Sequence, residues 1–224
     1  ATRMQAHLHR LYGPDRGPAT YAQLRALLDR WATGLSTRPR TDLSERDAIL
    51  ITYADQIHEP GQPPLRSLGE FCDRSLRGLV NTIHLLPFFP YSSDDGFSVT
   101  DYRAVNPAWG DWDDVARIGR GFRLMFDAVL NHVSAKSAWF QRFVDGDAAA
   151  QEDFIVPAEG ADLSRVVRPR ALPLLTRFET ALGPRQVWTT FSPDQVDLNY
   201  ANPTVLLEVI DVLLGYVARG AEFL

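Results

Sequence analysis

The stretch Arg123-Leu-Met-Phe-Asp-Ala-Val-Leu-Asn-His132 joins a short apolar segment to a group of polar residues. Leu124, Met125 and Phe126 follow one another without the polar gaps of an amphipathic helix, which favours a buried strand. Polar residues follow directly, and α/β proteins build functional sites from the loops at the carboxyl ends of parallel strands. We therefore predict a parallel strand that leads into a functional site. By itself, His132 is equally compatible with a structural histidine.

Other segments predict further strands and helices of the same sheet. The run Ala48-Ile-Leu-Ile-Thr-Tyr53 is typical of a strand buried on both faces, and Thr82-Ile-His-Leu-Leu86 predicts a second strand. A short helix is predicted over residues 68–76, and another begins after its capping residue Asp111. Strand, helix, strand, helix, strand is the alternation of a parallel sheet.

A further helix is predicted by both of its ends. Asn202 suits the N-cap, Pro203 suits the first turn, and Gly220 suits the position after the last turn. Its apolar stripe is predicted to consist of Val205, Leu206, Val209, Ile210, Leu213, Leu214 and Val217. Residues 221–224 then predict the start of a fourth strand, and we expect the chain to be the N-terminal part of a longer polypeptide.

Composition excludes several classes of protein. The 224 residues are 45% hydrophobic with a net charge of -5, which fits a packed globular chain and argues against a nucleic-acid partner. Cys72 is the one cysteine, so no internal disulfide can form. The sequence has no apolar stretch long enough to cross a membrane, and its first ten residues lack the apolar centre of a signal peptide. We expect a cytoplasmic protein.

Three stretches in this order resemble motifs of the α-amylase superfamily, glycoside hydrolase family 13. Asp127-Ala-Val-Leu-Asn-His132 resembles its first signature. Pro87-Phe-Phe-Pro-Tyr-Ser-Ser-Asp-Asp-Gly-Phe-Ser-Val-Thr-Asp-Tyr102 resembles the loop after its second strand. Gln195-Val-Asp-Leu-Asn199 resembles the motif near the end of its inserted B domain.

Four further stretches resemble the sucrose phosphorylase subfamily more than the hydrolases. They are Ile51-Thr-Tyr-Ala-Asp55, Asp94-Asp-Gly-Phe97, Arg168-Pro-Arg170 and Val187-Trp-Thr-Thr-Phe-Ser-Pro193. The N-terminal helical extension is similar to that of relatives that use sucrose 6-phosphate, glucosylglycerate or glucosylglycerol.

The resemblance implies the N-terminal part of a (β/α)₈ barrel, with strands 1 to 3 and the start of strand 4. The predicted regions are an N-terminal helical extension and linker (1–47), the first part of the barrel (48–132), an inserted B domain (133–200), and barrel helix 3 with the start of strand 4 (201–224). In the extension, helix breaks are predicted at Gly13-Pro14 and Gly17-Pro18, and a linker is predicted around Pro39.

The resemblance also implies a retaining double displacement by two carboxylates. In phosphorylases, inorganic phosphate rather than water takes the glucosyl group as a co-substrate and gives α-glucose 1-phosphate. The nucleophile and the acid/base are expected beyond Leu224, so residues 1–224 are predicted to be inactive alone.

The residues that bind the sugar can be assigned by the resemblance. Asp94, with Asp95 as a rival, would accept hydrogen bonds from sugar hydroxyls, and His132 would donate one. Phe97 and Phe191 would form apolar walls beside the ring, with simple core packing as the alternative for each. Gln195 would contact the sugar or a B-domain loop.

Other polar residues are expected to be structural. Asp127 and Asn131 would hold the strand end in shape, and His84 is expected in the core. No cluster of calcium ligands and no zinc spacing is present in the sequence, so we expect neither a metal nor an organic cofactor.

Two alternatives remain open from the sequence. A hydrolase or transglucosylase of the same superfamily would use the same donor-binding residues. A non-catalytic carbohydrate-binding half-barrel would also keep them. The acceptor (fructose, its phosphate, glycerate or glycerol) and the oligomeric state are not determined by these residues.

Overall fold

The computed structural model describes residues 2–35, 43–167 and 171–224. The predicted linker around Pro39 and the Arg168-Pro-Arg170 stretch lie outside the described residues. The described helices are α1 (Thr2–Trp31), α2 (Pro64–Ser75), α3 (Trp112–Ile118), α4 (Ala138–Val144) and α5 (Pro203–Ala218), with short 3₁₀ turns at Asp94–Gly96 and Ala148–Ala150. The described strands are β1 (Ile49–Thr52), β2 (Thr82–Leu85), β3 (Arg123–Phe126), β4 (His132–Ser134), β5 (Leu175–Thr180), β6 (Gly183–Trp188), β7 (Gln195–Asp197) and β8 (Ala221–Phe223).

The chain divides into two compact units. Unit 1 consists of Ala1–Gly34 and Leu130–Asp211, and unit 2 consists of Leu35–Val129 and Val212–Leu224. One boundary between the units, after Val129, falls inside the motif that begins at Asp127. Another, after Asp211, falls inside α5. The four predicted regions stay a prediction.

Unit 2 contains a parallel sheet in the order β1-β2-β3-β8. Every pair in it is parallel, with Thr82 opposite Arg123 and Leu124 opposite Ala221. The helices α2 and α3 lie between successive strands along the chain. The predicted parallel sheet and its fourth strand are therefore confirmed.

The prediction that β1 is buried on both faces is wrong. Ile49 is 43% exposed and Ile51 is 61% exposed, whereas Thr52 is buried. β1 stands at one end of the strand order within the described residues. An apolar run therefore predicted the strand correctly but not the burial of both of its faces.

Asp47 joins the amino ends of the strands in unit 2. Its carboxylate accepts hydrogen bonds from the Asn81 side chain at 2.7 Å and from the Ser44 backbone N–H at 2.6 Å. Arg123 Nη1 lies 3.4 Å from the same carboxylate, while Arg123 Nε donates to Glu222 at 3.0 Å. The residues before β1 and β2 are thus connected to β3 and β8 by polar side chains.

Aromatic rings fill the core of unit 2 beside the sheet. Phe126, at the end of β3, meets Phe88 edge-on at 4.9 Å between ring centroids. Tyr216 of α5 stacks on Phe89 at 5.1 Å and contacts Phe126 edge-on. The loop after β2 is therefore anchored by its first two aromatic residues, before its polar part begins.

In unit 1, α1 is a pair of helical segments joined by a sharp bend. Gly13 has φ 75° and ψ −179°, a conformation that glycine adopts without the steric cost of a side chain. The bend brings Gly17 so close to His9 that a Cβ at position 17 would lie 2.8 Å from the His9 Cα. The predicted break at Gly13-Pro14 is confirmed, but the one at Gly17-Pro18 is wrong because the helix continues through it.

The rest of unit 1 is built from two antiparallel strand pairs and α4. β5 pairs with β6, and β4 pairs with β7. Phe140 and Phe143 of α4 pack with Phe154 and Phe178 in a cluster of aromatic rings. This apolar cluster gives unit 1 a core of its own.

Helix α5 has the predicted ends but a different buried face. The Asn202 side chain accepts from the Thr204 N–H at 3.0 Å, and Gly220 has φ 104°. The buried aliphatic and aromatic residues of the helix are Val205, Val209, Val212 and Tyr216. The predicted stripe missed Val212 and Tyr216 and included Val217, which is 36% exposed.

Candidate sugar-binding residues

The β4–β7 pair places His132, the last residue of the motif that begins at Asp127, beside the 195–199 motif. In its antiparallel register His132 lies opposite Asp197, and Ser134 lies opposite Gln195. All six residues of the pair are buried. Side chains from the two motifs are therefore fixed relative to one another by the backbone ladder.

His132, Gln195 and Phe191 lie together in unit 1. The Gln195 Nε2 atom is 3.1 Å from His132 Nε2, and the rings of His132 and Phe191 are 5.2 Å apart at 59°. An amide nitrogen can only donate, so His132 Nε2 accepts in this arrangement. A neutral His132 ring then carries its proton on Nδ1. The group combines an apolar ring face with an imidazole whose Nε2 atom is held by Gln195.

The Asp197 carboxylate holds the residue before Phe191. Asp197 accepts from the Thr190 N–H at 3.1 Å and from the Thr190 hydroxyl through a short hydrogen bond. The indole N–H of Trp188 donates to the same hydroxyl at 3.0 Å. Thr190 is thus held by its backbone and its side chain together.

A second chain of hydrogen bonds in unit 1 reaches the residues before His132. The Tyr12 hydroxyl donates to the Tyr200 carbonyl at 3.0 Å, and the Tyr200 hydroxyl donates to the Leu130 carbonyl at 2.6 Å. Burial raises the pKa of Tyr200 to about 12, so this hydroxyl remains a donor at neutral pH. Helix α1 is therefore connected, through Tyr200, to the chain that leads into β4.

Asp94 and Phe97 belong to unit 2, in the loop after β2. Asp94 (φ 56°) and Asp95 (φ 49°) both adopt the left-handed backbone conformation, and Gly96 follows with φ 100°. A Cβ on Gly96 would lie 2.7 Å from the Pro87 carbonyl oxygen, so the turn packs directly on the end of the preceding segment. Asp94 is exposed and Phe97 is half-buried. The turn therefore presents a carboxylate from a tightly defined backbone.

His84 contacts Asp127 in unit 2, where the sequence predicted a core residue. His84 Nε2 lies 3.0 Å from Asp127 Oδ2, and the two side chains are 17% and 24% exposed. Alternation along β2 could have revealed this, since Ile83 and Leu85 share one buried face and His84 lies on the other. Asn131 is exposed, and its backbone carbonyl accepts from the Leu198 N–H.

The structure thus brings His132, Phe191 and Gln195 together in unit 1, whereas Asp94, Phe97 and Asp127 are part of unit 2. Among the described residues, no group of three or more His, Cys, Asp or Glu side chains could hold a metal ion. None of the described helices is long and apolar enough to cross a membrane. The sugar-binding roles of the individual residues stay predictions.

The fold and these motifs define the class of protein. Parallel strands that alternate with helices, followed by an antiparallel insertion after the third strand, are the arrangement of a (β/α)₈ barrel. The structure of sucrose 6F-phosphate phosphorylase from Thermoanaerobacter thermosaccharolyticum is similar, with a TM-score of 0.71 and 26% identity over 81% of this chain and 39% of that one.

The family is shown by sequence. The model of the family described as "Alpha amylase, catalytic domain" matches residues 76–222. The chain therefore belongs to the α-amylase family. Glucosylglycerate phosphorylase from Spirochaeta thermophila is 56% identical over 99% of this chain and 39% of its own length. Sucrose phosphorylase from Agrobacterium vitis is 38% identical over 72% of this chain and 35% of its own length. The resemblance to the sucrose phosphorylase group is confirmed, and the chain spans about two fifths of the length of these curated relatives.

Proposed function

We propose that the protein containing this chain is a retaining α-glucosyl phosphorylase that acts on glucosylglycerate and releases α-glucose 1-phosphate. The observation that carries the proposal is the extent of the match. The similarity to a glucosylglycerate phosphorylase includes 99% of the chain, and that to a sucrose phosphorylase includes 72% at lower identity. Among the donors that the sequence left open, glucosylglycerate is therefore the one we favour.

The contacts in unit 1 support a sugar ligand. Sugar sites combine an apolar ring face with a few oriented polar groups, and Phe191 with His132 supplies both. A donor held in place by Gln195 can strengthen its hydrogen bond as charge develops on the sugar in the transition state. We propose that His132 donates to a glucose hydroxyl and that Phe191 contacts the face of the ring.

Asp94 is proposed to accept hydrogen bonds from sugar hydroxyls. An ionised carboxylate can accept from two hydroxyls at once, and charged acceptors form the stronger hydrogen bonds. Asp94 is exposed, so its carboxylate can reach a ligand. Phe97 is proposed as an apolar contact in the same turn, close to Asp94 in sequence.

The proposed reaction proceeds in two displacements. A carboxylate nucleophile takes the glucosyl group while an acid protonates the departing glycerate oxygen, and phosphate then attacks the glucosyl intermediate with retention. Inorganic phosphate is the co-substrate, and we propose no other cofactor. We assign neither carboxylate within residues 1–224, whose proposed task is to hold the glucosyl group.

The full-length enzyme tests the proposal. Glucosylglycerate, sucrose, sucrose 6F-phosphate and glucosylglycerol are each supplied with and without phosphate, and α-glucose 1-phosphate and free glucose are measured. We expect α-glucose 1-phosphate to form only with phosphate and with the highest kcat/KM for glucosylglycerate. Equal glucose release without phosphate would indicate a hydrolase, and transfer to a second sugar would indicate a transglucosylase. A higher kcat/KM for sucrose would reject glucosylglycerate as the donor.

A further inference from the structure

We infer that Asp197 is a positioning residue, which fixes Phe191 beside His132 through Thr190 and so sets the shape of the glucosyl-binding surface. The inference rests on the proposed function, because it concerns the residues proposed to contact glucose. It assigns to the third residue of the 195–199 motif a role in substrate binding that is distinct from that of Gln195.

The carboxylate of Asp197 is buried and its hydrogen bonds are directional. Asp197 is 4% exposed, and its two oxygens accept from the N–H and the hydroxyl of Thr190. An ionised carboxylate loses its hydration on burial, so these charge-assisted hydrogen bonds must compensate for that loss. Rotation of Thr190 away from Asp197 would leave the carboxylate without both donors. The backbone of residue 190 is therefore strongly held in one position.

Thr190 has a second side-chain partner as well. Trp188 Nε1 donates to the Thr190 hydroxyl, which in turn donates to Asp197, so the hydroxyl has a defined orientation. Thr190 is thus fixed by two side-chain partners, although it lies beyond the last residue of β6.

Asp197 is linked to both sides of the His132–Phe191 contact, through its backbone to His132 and through its carboxylate to Thr190. Asp197 lies directly opposite His132 in the β4–β7 ladder, and it holds the residue that immediately precedes Phe191. The backbone ladder therefore fixes the His132 side of the 5.2 Å ring contact, and the Asp197 carboxylate fixes the Phe191 side. Because contacts to a substrate must be held within fractions of an ångström to be productive, a loosened Thr190 should impair binding and turnover.

Three variants of the full-length enzyme test the role. Thr190→Val keeps the branched shape but removes the hydroxyl, and Thr190→Ser keeps the hydroxyl. Asp197→Asn keeps an oxygen that can accept from the Thr190 N–H but removes the second acceptor. Thr176→Val is the matched control, since it removes another hydroxyl contact from the same strand pair without touching Asp197 or Thr190.

We expect Thr190→Val and Asp197→Asn to lower kcat/KM by tenfold or more in enzymes whose Tm stays above the assay temperature. The loss should be similar with glucosylglycerate in the forward direction and α-glucose 1-phosphate in the reverse direction, because both carry the same glucosyl group. Thr190→Ser and Thr176→Val should stay within threefold of the unmodified enzyme. If Thr190→Val does not fold, kcat/KM of Asp197→Asn alone tests the inference.

The inference is overturned if folded Thr190→Val and Asp197→Asn enzymes both keep kcat/KM within threefold. It is equally overturned if Thr176→Val loses as much activity, since the effect would then be general to the strand pair. An unmodified enzyme that makes no α-glucose 1-phosphate would instead reject the proposed function. In that case glucose binding, measured by calorimetry on the same proteins, must weaken tenfold in the same two variants for the inference to stand.

Discussion

At the scale of single residues, Asp94 and Asp95 are notable for their backbone. Both adopt positive φ, which costs most residues free energy but is tolerated better by aspartate and asparagine than by others. Gly96 completes the turn against Pro87. The sequence motif alone could not decide which of the two carboxylates binds the sugar. Since both residues share the left-handed backbone conformation, both positions tolerate the same substitutions. An asparagine at either position removes the charge without changing what the backbone requires.

Asp94→Asn in the full-length enzyme should lower kcat by about 100-fold or more, because an uncharged amide forms weaker hydrogen bonds with sugar hydroxyls. Asp95→Asn is the matched control and should change kcat by less than about tenfold, because Asp95 is not proposed to contact the sugar. Steady-state kinetics with circular dichroism and Tm measurements separate loss of function from loss of folding. A larger effect at position 95 would transfer the proposed role to Asp95.

His84 shows what residue patterns leave undecided. The sequence correctly predicted its strand, but the contact with Asp127 joins residues that are 43 positions apart. No spacing rule relates two positions on neighbouring parallel strands until their register is known. Asp127, which directly follows β3 and begins the motif, therefore has a side-chain partner on the adjacent strand β2.

At the scale of secondary-structure elements, Asp47 connects the segments that precede the strands of unit 2. The Ser44 N–H and the Asn81 amide, together with the Arg123 guanidinium, hold the pKa of the Asp47 carboxyl below its usual value of 3.8. A lowered folded-state pKa means that the carboxylate stabilises the fold above its unfolded pKa. This stabilisation is lost as the pH falls through the folded-state pKa.

We therefore expect Asp47→Asn to reduce the difference in stability between pH 7 and pH 3. The unmodified chain should lose more stability over this interval, because only it protonates a carboxylate at position 47. Urea unfolding at a series of pH values, with Asp113→Asn as a control for an exposed carboxylate on α3, measures the difference. Identical pH profiles for the unmodified and Asp47→Asn proteins would show that the contacts of Asp47 do not contribute.

The bend in α1 gives a second prediction at this scale. Gly17→Val should lower the free energy of unfolding by about 1–3 kcal/mol, because a side chain at position 17 would meet the His9 backbone at 2.8 Å. Gly34→Ala is the matched control in unit 1, since its Cβ would meet the Trp31 carbonyl at an ordinary 3.7 Å. Chemical denaturation measures both variants. Equal stability of the two would mean that the helical segments separate without cost.

At the scale of the whole molecule, the chain contains two compact units formed from alternating parts of the sequence. Unit 1 combines α1 with residues 130–132 and the 195–199 motif, and unit 2 combines the parallel sheet with the turn at Asp94. The proposed activity belongs to the whole protein, since the chain spans 39% of the length of its Spirochaeta thermophila relative. The units described here are proposed to bind the donor.

Residues 1–224 produced alone should therefore form no α-glucose 1-phosphate from glucosylglycerate and phosphate. The physical reason is that we assign neither of the two carboxylates of a double displacement to this part of the protein. The assay is run beside the full-length enzyme, with near-ultraviolet circular dichroism to establish that the shorter chain is folded. Turnover by the folded shorter chain at a rate close to that of the full-length enzyme would place the carboxylates within it.

The sequence by itself determined the elements whose signals are local. Asp111 and Asn202 cap their helices as predicted, and the apolar runs at residues 82–86 and 124–126 form neighbouring parallel strands. These features depend on side chains a few residues apart, where spacing and backbone preference are sufficient. The parallel order of the sheet followed from their alternation.

The tertiary structure alone decided which distant side chains meet. Gln195 reaches His132 across 63 positions because the β4–β7 register places the two motifs opposite one another. Likewise, the exposure of Ile51 and the burial of Tyr216 depend on what packs against each face of an element. Register and packing are properties of the folded chain, so a pattern of neighbouring residues predicts a strand or helix but not its contacts.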